Sequence, residues 1–131
     1  MKPQADIRCL RIDTIYANYA KMKQYVIDQL RQQDIEALAD HLGRQLGPPS
    51  LERVYWLPLD PEYYSALQAS HEDCHPLFFA LQLKSGAFVG EFLVRTHQRI
   101  RCDCMAYANE AQRNWLIALM DDLVQQLDIP V

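Results

Sequence analysis

The side chains that could bind a metal ion lie in two short stretches of the sequence. They are His71, Cys74 and His75 in the first stretch, and Cys102 and Cys104 in the second. Thiolates and imidazoles are the ligands that zinc selects, and a closed zinc site needs four of them. His71 and Cys74, three residues apart near a predicted helix end, could approach one ion together. The candidate ligands are therefore His71, Cys74, Cys102 and Cys104, with zinc as the candidate cofactor.

Cys102 and Cys104 also have a second interpretation, as small hydrophobic residues of the core. Residues two apart on a strand point to the same face, which these two would share with Ile100 and Ala106. Zinc modules usually separate paired cysteines by two or more residues, because a turn must bring both sulfurs to one ion. The spacing therefore favours the core interpretation, in which no cofactor is bound and the two histidines lie on the surface or in a loop.

A basic cluster follows the predicted hairpin and comprises Arg95, His97, Arg99 and Arg101. At the tip between two strands, such a cluster could bind a carboxylate or phosphate through charge-assisted hydrogen bonds. The alternative is a solvated strand face whose charges discourage edge-to-edge pairing, and the pattern favours this alternative. In that case the arginines lie on the surface.

Residue types found in catalytic sites occur, but not in arrangements that catalysis uses. Ser70-His71-Glu72-Asp73 has triad residue types in one short run, whereas a triad assembles from separate segments. A Cys74 nucleophile would need a base aimed at its sulfur, and adjacent side chains such as His75 diverge. The four glycines are too widely spaced for a phosphate-binding loop. We expect a non-enzymatic protein.

Composition and charge limit the class of protein. The chain has 131 residues, half of them hydrophobic, with a formal net charge of −4. An acidic surface repels phosphate backbones and anionic lipid, so nucleic acid is not an expected partner. No apolar run approaches the roughly 20 residues that cross a bilayer, and the first residues do not resemble a signal peptide. We expect a cytoplasmic protein with cysteines present as thiols.

Two helices are predicted in the first third of the chain. Apolar residues recur at helical spacing from Thr14 to Leu30, on one face and on a second neighbouring face. Ile35, Leu38 and Leu42 repeat this spacing after Asp34, a possible N-cap, which predicts a helix over residues 35–45. No glycine or proline separates the two, so one long or kinked helix is the alternative. Gly47-Pro48-Pro49-Ser50 ends the helical region.

The rest of the chain alternates strands with helices. The patterns predict an edge strand within 51–57, a helix from Asp60-Pro61 to Ser70, a hairpin of 77–83 and 87–96, a third strand over 99–107, and a last helix capped by Asn109 and Gln112. The expected fold is α+β, an antiparallel three- to four-stranded meander covered on one face by helices, with an N-terminal helical hairpin or long helix. We expect one domain over residues 1–131, with a helical region 1–46 and an α+β core 50–131.

Three functions from different classes are compatible with these observations. The first is a binding or adaptor protein that acts as a homodimer and also binds a protein partner. The homodimer would form through residues 14–46, because the apolar surface of this region exceeds what one contact could cover. The second is a small zinc-binding protein that uses the Cys/His set. The third is an enzyme with an unrecognised site near the basic tip. The first is the leading hypothesis.

Overall fold

A computed structural model describes residues 23–131 of the chain. Its strands are β1 (Gln24–Ile27), β2 (Val54–Pro58), β3 (Leu77–Lys84), β4 (Ala87–Glu91) and β5 (Arg95–Thr96), and its helices are α1 (Gln32–Leu46), α2 (Ala66–Ser70) and α3 (Glu110–Gln126). The strands form one antiparallel sheet in the order β1-β4-β3-β2, and β5 also pairs with β3. The fold is α+β, as predicted. No helix in the described part of the chain combines the length and apolar character that a membrane span requires.

The core lies between one face of the sheet and helices α1 and α3. Every second residue of β3, from Leu77 to Leu83, is at most 3% exposed. The ring of Phe79 stacks against Trp115 of α3 at 6.0 Å. Gly90 of β4 lies so close to α3 that an added Cβ would be 2.5 Å from the Met120 sulfur. A larger residue at position 90 would therefore require the Met120 side chain to shift.

The predicted hairpin is present as β3 and β4, joined by a turn at Ser85-Gly86. Gly86 adopts a positive φ of 75°, which glycine tolerates without strain. Beyond β4 the register on β3 shifts, from Leu81 opposite Gly90 to Leu77 opposite Thr96. The shift leaves residues 92–94 free to pair elsewhere.

The third strand predicted over residues 99–107 does not form. One bridge joins Leu93 to Tyr107, and the stretch between β5 and this bridge is a loop with turns. Val94 N–H donates to the Ala106 carbonyl at 2.9 Å, and Phe92 N–H donates to the Lys23 carbonyl at 2.9 Å, so residues 92–94 pair outside β3. Ile100 is 95% exposed, so the predicted apolar face of this strand is not buried as a unit. We refer to residues 97–105 as the cysteine loop.

The helix predicted from Thr14 to Leu30 is wrong where the structure describes it. Residues 24–27 form β1, which pairs with β4 in the register Val26 to Val89. Tyr25 faces α3 and donates a hydrogen bond to Asp121 at 2.6 Å, while Val26 is 41% exposed. Pairing with β4 overrides a helical spacing that fits the same residues. Residues 14–22 of the predicted helix lie outside the described residues.

The second and last helices were predicted well. Helix α1 buries Ile35, Leu38 and Leu42 as expected, but it begins at Gln32. Asp34 therefore lies in the first turn, where its carboxylate accepts from the backbone and guanidinium of Arg31. Helix α3 begins with the expected capping box of Asn109 and Gln112.

Candidate metal centre

The first half of the candidate site is the turn that follows α2. Ser65 and Gln68 cap this helix reciprocally, with side-chain to backbone hydrogen bonds of 3.1 and 2.9 Å. His71 ends the helix, and the next three residues form a single 3₁₀ turn in which Cys74 N–H donates to the His71 carbonyl at 2.9 Å. Side chains three residues apart in a 3₁₀ turn lie above one another. His71 and Cys74 consequently present their ligand atoms on the same side.

The second half is a tight turn in the cysteine loop. Met105 N–H donates to the Cys102 carbonyl at 3.0 Å, which closes a turn over Cys102-Asp103-Cys104. The Cys104 backbone N–H also donates to the Cys102 sulfur. The two cysteines are thus not on a flat strand, and a turn supplies the bend that two converging sulfurs need. The strand on which the core interpretation depended is absent, although Cys104 is buried in the core and Cys102 packs against it.

Two buried glutamines, Gln68 and Gln112, join these halves, a role that the sequence analysis did not identify. The Gln68 amide donates to the Cys104 carbonyl at 3.0 Å, which ties the α2 segment to the cysteine loop. Gln112 of α3 donates to the Gln68 side-chain oxygen at 2.8 Å. The helix predicted from Asp60 to Ser70 is instead a 3₁₀ turn at Pro61–Tyr63 followed by α2, whose buried residue is Gln68. The pattern Ser65-x-x-Gln68, a capping box, was the signal that could have revealed the start of α2.

The four predicted ligands converge in space. The ligand atoms of His71, Cys74, Cys102 and Cys104 all lie within 4.8 Å of one another. His71 Nδ1 is 3.0 Å from the Cys102 sulfur, which in turn is 3.6 Å from the Cys74 sulfur. This cluster could hold a metal ion.

The protein environment distinguishes Cys102 from Cys104. Hydrogen bonds from the backbone N–H and side chain of Cys104 lower the pKa of Cys102 from an ordinary 9.0 to about 6. Burial, together with the neighbouring sulfurs, raises the pKa of Cys104 to about 12. In the metal-free protein at neutral pH, Cys102 is therefore a thiolate and Cys104 a thiol.

His75, the remaining candidate from sequence, points away from the cluster. Its Nε2 is 2.7 Å from the Gln68 carbonyl oxygen, and its ring packs on Tyr64 at 4.7 Å. Because a carbonyl only accepts, Nε2 must carry the proton of this hydrogen bond. His75 supports the backbone of α2 and is not a candidate ligand.

The basic cluster predicted at the tip is distributed over β5 and the cysteine loop. Arg95 is half-buried and pairs with Glu91 at 3.1 Å, whereas Arg99 and Arg101 are exposed. His97 stacks on Phe78 with ring centroids 4.3 Å apart. All four residues line one cleft of about 510 Å³, which also reaches Cys102. A carboxylate or phosphate in this cleft, and an enzymatic role there, stay predictions.

Comparison of the chain with models of known families, with curated proteins and with solved structures gives no significant match. The inference of function therefore depends on the geometry described above. The homodimer through residues 14–46 stays a prediction, since part of that segment lies outside the described residues.

Proposed function

We propose that this chain is a small zinc-binding protein, in which one zinc ion holds the cysteine loop against the α2 segment. The ligands are His71, Cys74, Cys102 and Cys104. The observation that supports the proposal is the convergence of these four ligand atoms within 4.8 Å. They come from two segments, since Cys74 and Cys102 are 28 residues apart in the chain. Such a constellation matches the Cys₃His class of structural zinc sites.

The distances agree with tetrahedral coordination. Zinc–sulfur bonds of about 2.3 Å at tetrahedral angles place two sulfurs about 3.8 Å apart. The Cys74 and Cys102 sulfurs, at 3.6 Å, are close to this separation. His71 Nδ1, at 3.0 Å from the Cys102 sulfur, needs to move outward by roughly half an ångström to leave room for the ion.

Burial and charge favour a structural role over a catalytic one. Four protein ligands fill the coordination sphere, so no position is open for water or substrate. Cys74 is 2% exposed and Cys104 is fully buried. Three thiolates around one zinc ion leave a net charge of about −1. Arg99 and Arg101, exposed on the same loop, add positive charge to that loop.

Metal analysis of protein purified without an affinity tag under reducing conditions tests the proposal. We expect one zinc ion per chain. Removing it with a chelator should lower the free energy of unfolding by about 3 kcal/mol or more, because metal binding is coupled to folding. Protein that contains no zinc, and that neither binds added zinc nor gains stability from it, would contradict the proposal.

A pair of histidine variants provides the matched control. His71→Ala removes a ligand and should weaken zinc binding by at least tenfold in a competition assay with a chromogenic chelator. His75→Ala, four residues further on, removes the hydrogen bond to Gln68 and the ring contact with Tyr64 but no proposed ligand, and should keep one zinc ion per chain. Equal zinc affinity in the two variants would show that His71 is not a ligand.

A further inference from the structure

The three sulfurs of the cluster differ in their access to solvent. Cys74 and Cys104 are buried, whereas Cys102 is half-buried. Two surface clefts, of about 490 and 510 Å³, are both lined by Cys102 and Arg99. Cys74 lines only the first of them, and Cys104 lines neither. Of the three cysteines, Cys102 alone lines both clefts, so a small solute in either cleft lies beside this residue.

A second thiol lies within reach of this accessible one. The sulfurs of Cys74 and Cys102 are 3.6 Å apart and belong to different segments of the chain. A disulfide requires about 2.05 Å, so the two sulfurs need to approach by roughly 1.5 Å. Cys104 is a poorer partner for Cys102, because its carbonyl is held by Gln68 and its own N–H is directed at the Cys102 sulfur.

We propose that Cys74 and Cys102 form an oxidation site for hydroperoxides. Oxidation joins the two residues in a disulfide, and the cluster then no longer holds the metal ion. Release of the ion depends on the proposed zinc function, whereas formation of the disulfide does not. The arrangement fits a reactive, solvent-accessible cysteine beside a buried resolving cysteine.

The reaction has two steps. The Cys102 thiolate attacks one peroxide oxygen, so that an S–O bond forms, the O–O bond breaks, and the other oxygen leaves as water or an alcohol after protonation. Cys102 is now a sulfenic acid, oxidised by two electrons, and the peroxide is reduced by two. The Cys74 thiolate then attacks this sulfur, the S–S bond forms, and hydroxide leaves and takes up a proton. A zinc ion held by the cluster would lose two of its four ligands, Cys74 and Cys102, and would be released.

The test uses the full reduced, zinc-loaded chain and hydrogen peroxide as the probe. We expect one zinc ion released per chain, measured with a chromogenic chelator, and an intact mass lower by two hydrogens. Peptide mapping should place the disulfide between Cys74 and Cys102, and a thiol reductant should restore zinc binding. A disulfide between other cysteines, or oxidation to sulfinic acid without a disulfide, overturns the proposal.

Variants separate this inference from the zinc function. Cys74→Ser should leave a Cys102 sulfenic acid that a dione reagent traps, and Cys102→Ser should slow the reaction with peroxide at least tenfold. His71→Ala lacks a metal ligand but keeps both thiols, so it should still form the Cys74–Cys102 disulfide. If the chain binds no zinc but forms this disulfide, only the zinc function fails. If it binds zinc but the mapped disulfide is absent, only the oxidation site fails.

Discussion

At the scale of single residues, Cys102 and Cys104 are only two positions apart, yet their pKa values are shifted in opposite directions. The hydrogen bonds that lower the pKa of Cys102 require the turn, since the Cys104 N–H can be directed at the preceding sulfur only if the chain bends there. Burial alone accounts for the main part of the raised pKa of Cys104. A difference of this kind does not follow from the sequence, because the same Cys-x-Cys spacing on a strand would expose both thiols to similar surroundings.

The lowered pKa of Cys102 gives a pH-dependent prediction for metal-free, reduced protein. The ultraviolet absorbance of one thiolate should appear as the pH rises through about 6, and the step should be absent in Cys102→Ser. Because the folded pKa lies below the unfolded one, this group stabilises the fold fully above its unfolded pKa, and the contribution is lost as the pH falls through about 6. A first thiolate step close to the ordinary value of 9.0 would contradict the assigned hydrogen bonds.

At the scale of elements, those with local signals were predictable. Helix α3 has a capping box at Asn109 and a clear apolar stripe, and the β3–β4 hairpin has strict alternation around a glycine turn. Strand β1 and the cysteine loop were not predictable, because their conformations depend on partners distant in sequence. Residues 24–27 become a strand only through pairing with β4, and residues 97–105 become a loop because residues 92–94 leave the register of β3.

The candidate site shows the same division between local and distant information. The ligand types were evident in the sequence, and the structure brings together the four residues named from it. Their proximity depends on Gln68, a polar residue whose burial and bond to the Cys104 carbonyl join segments 36 residues apart. A single sequence gives no signal for such a contact.

A pair of glycine substitutions tests the packing of α3 on the sheet. Gly90→Ala would place a Cβ 2.5 Å from the Met120 sulfur and 3.3 Å from Leu116, within a closed core. We expect a loss of about 1–3 kcal/mol in the free energy of unfolding. Denaturant titration measures the change.

The control for that substitution is Gly43→Ala, in the interior of α1. An added Cβ there meets no atom within 4 Å, so the change should stabilise the protein by about 0.5–1 kcal/mol through helix propensity alone. If Gly90→Ala stabilised the protein as Gly43→Ala does, the close approach of α3 to β4 would be wrong.

At the scale of the whole molecule, the proposed metal joins parts of the chain that share few other contacts. Hydrogen bonds close the base of the cysteine loop, from Val94 to Ala106 and from Ala108 to Phe92, at 2.9 and 2.7 Å. Its middle is held by the Gln68 amide and by the cluster. The exposed arginines at its tip contribute one weak ion pair, Arg99 with Asp73 at 3.9 Å, which is worth little at the surface.

Because hydrogen bonds close the base of the cysteine loop, we expect the fold to tolerate a break of the chain within this loop. A cut after Arg101, an exposed loop tip of the kind that tolerates nicking, leaves a C-terminal fragment that contains all of α3, with Leu116 and Met120 fully buried. Two of the proposed ligands, His71 and Cys74, then belong to one fragment, and Cys102 and Cys104 belong to the other. Zinc would bind across the break.

Fragments 1–101 and 102–131, produced separately and mixed, should therefore reassemble, and zinc should control their association. We expect the apparent dissociation constant, measured by fluorescence anisotropy of the labelled shorter fragment, to rise at least tenfold when a chelator is added. The same chelator should have no effect on fragments in which Cys104 is replaced by Ser. If zinc did not affect reassembly, the α3 interface alone would join the two fragments. If reassembly depended on zinc, the metal ion would control the association of two complementary fragments.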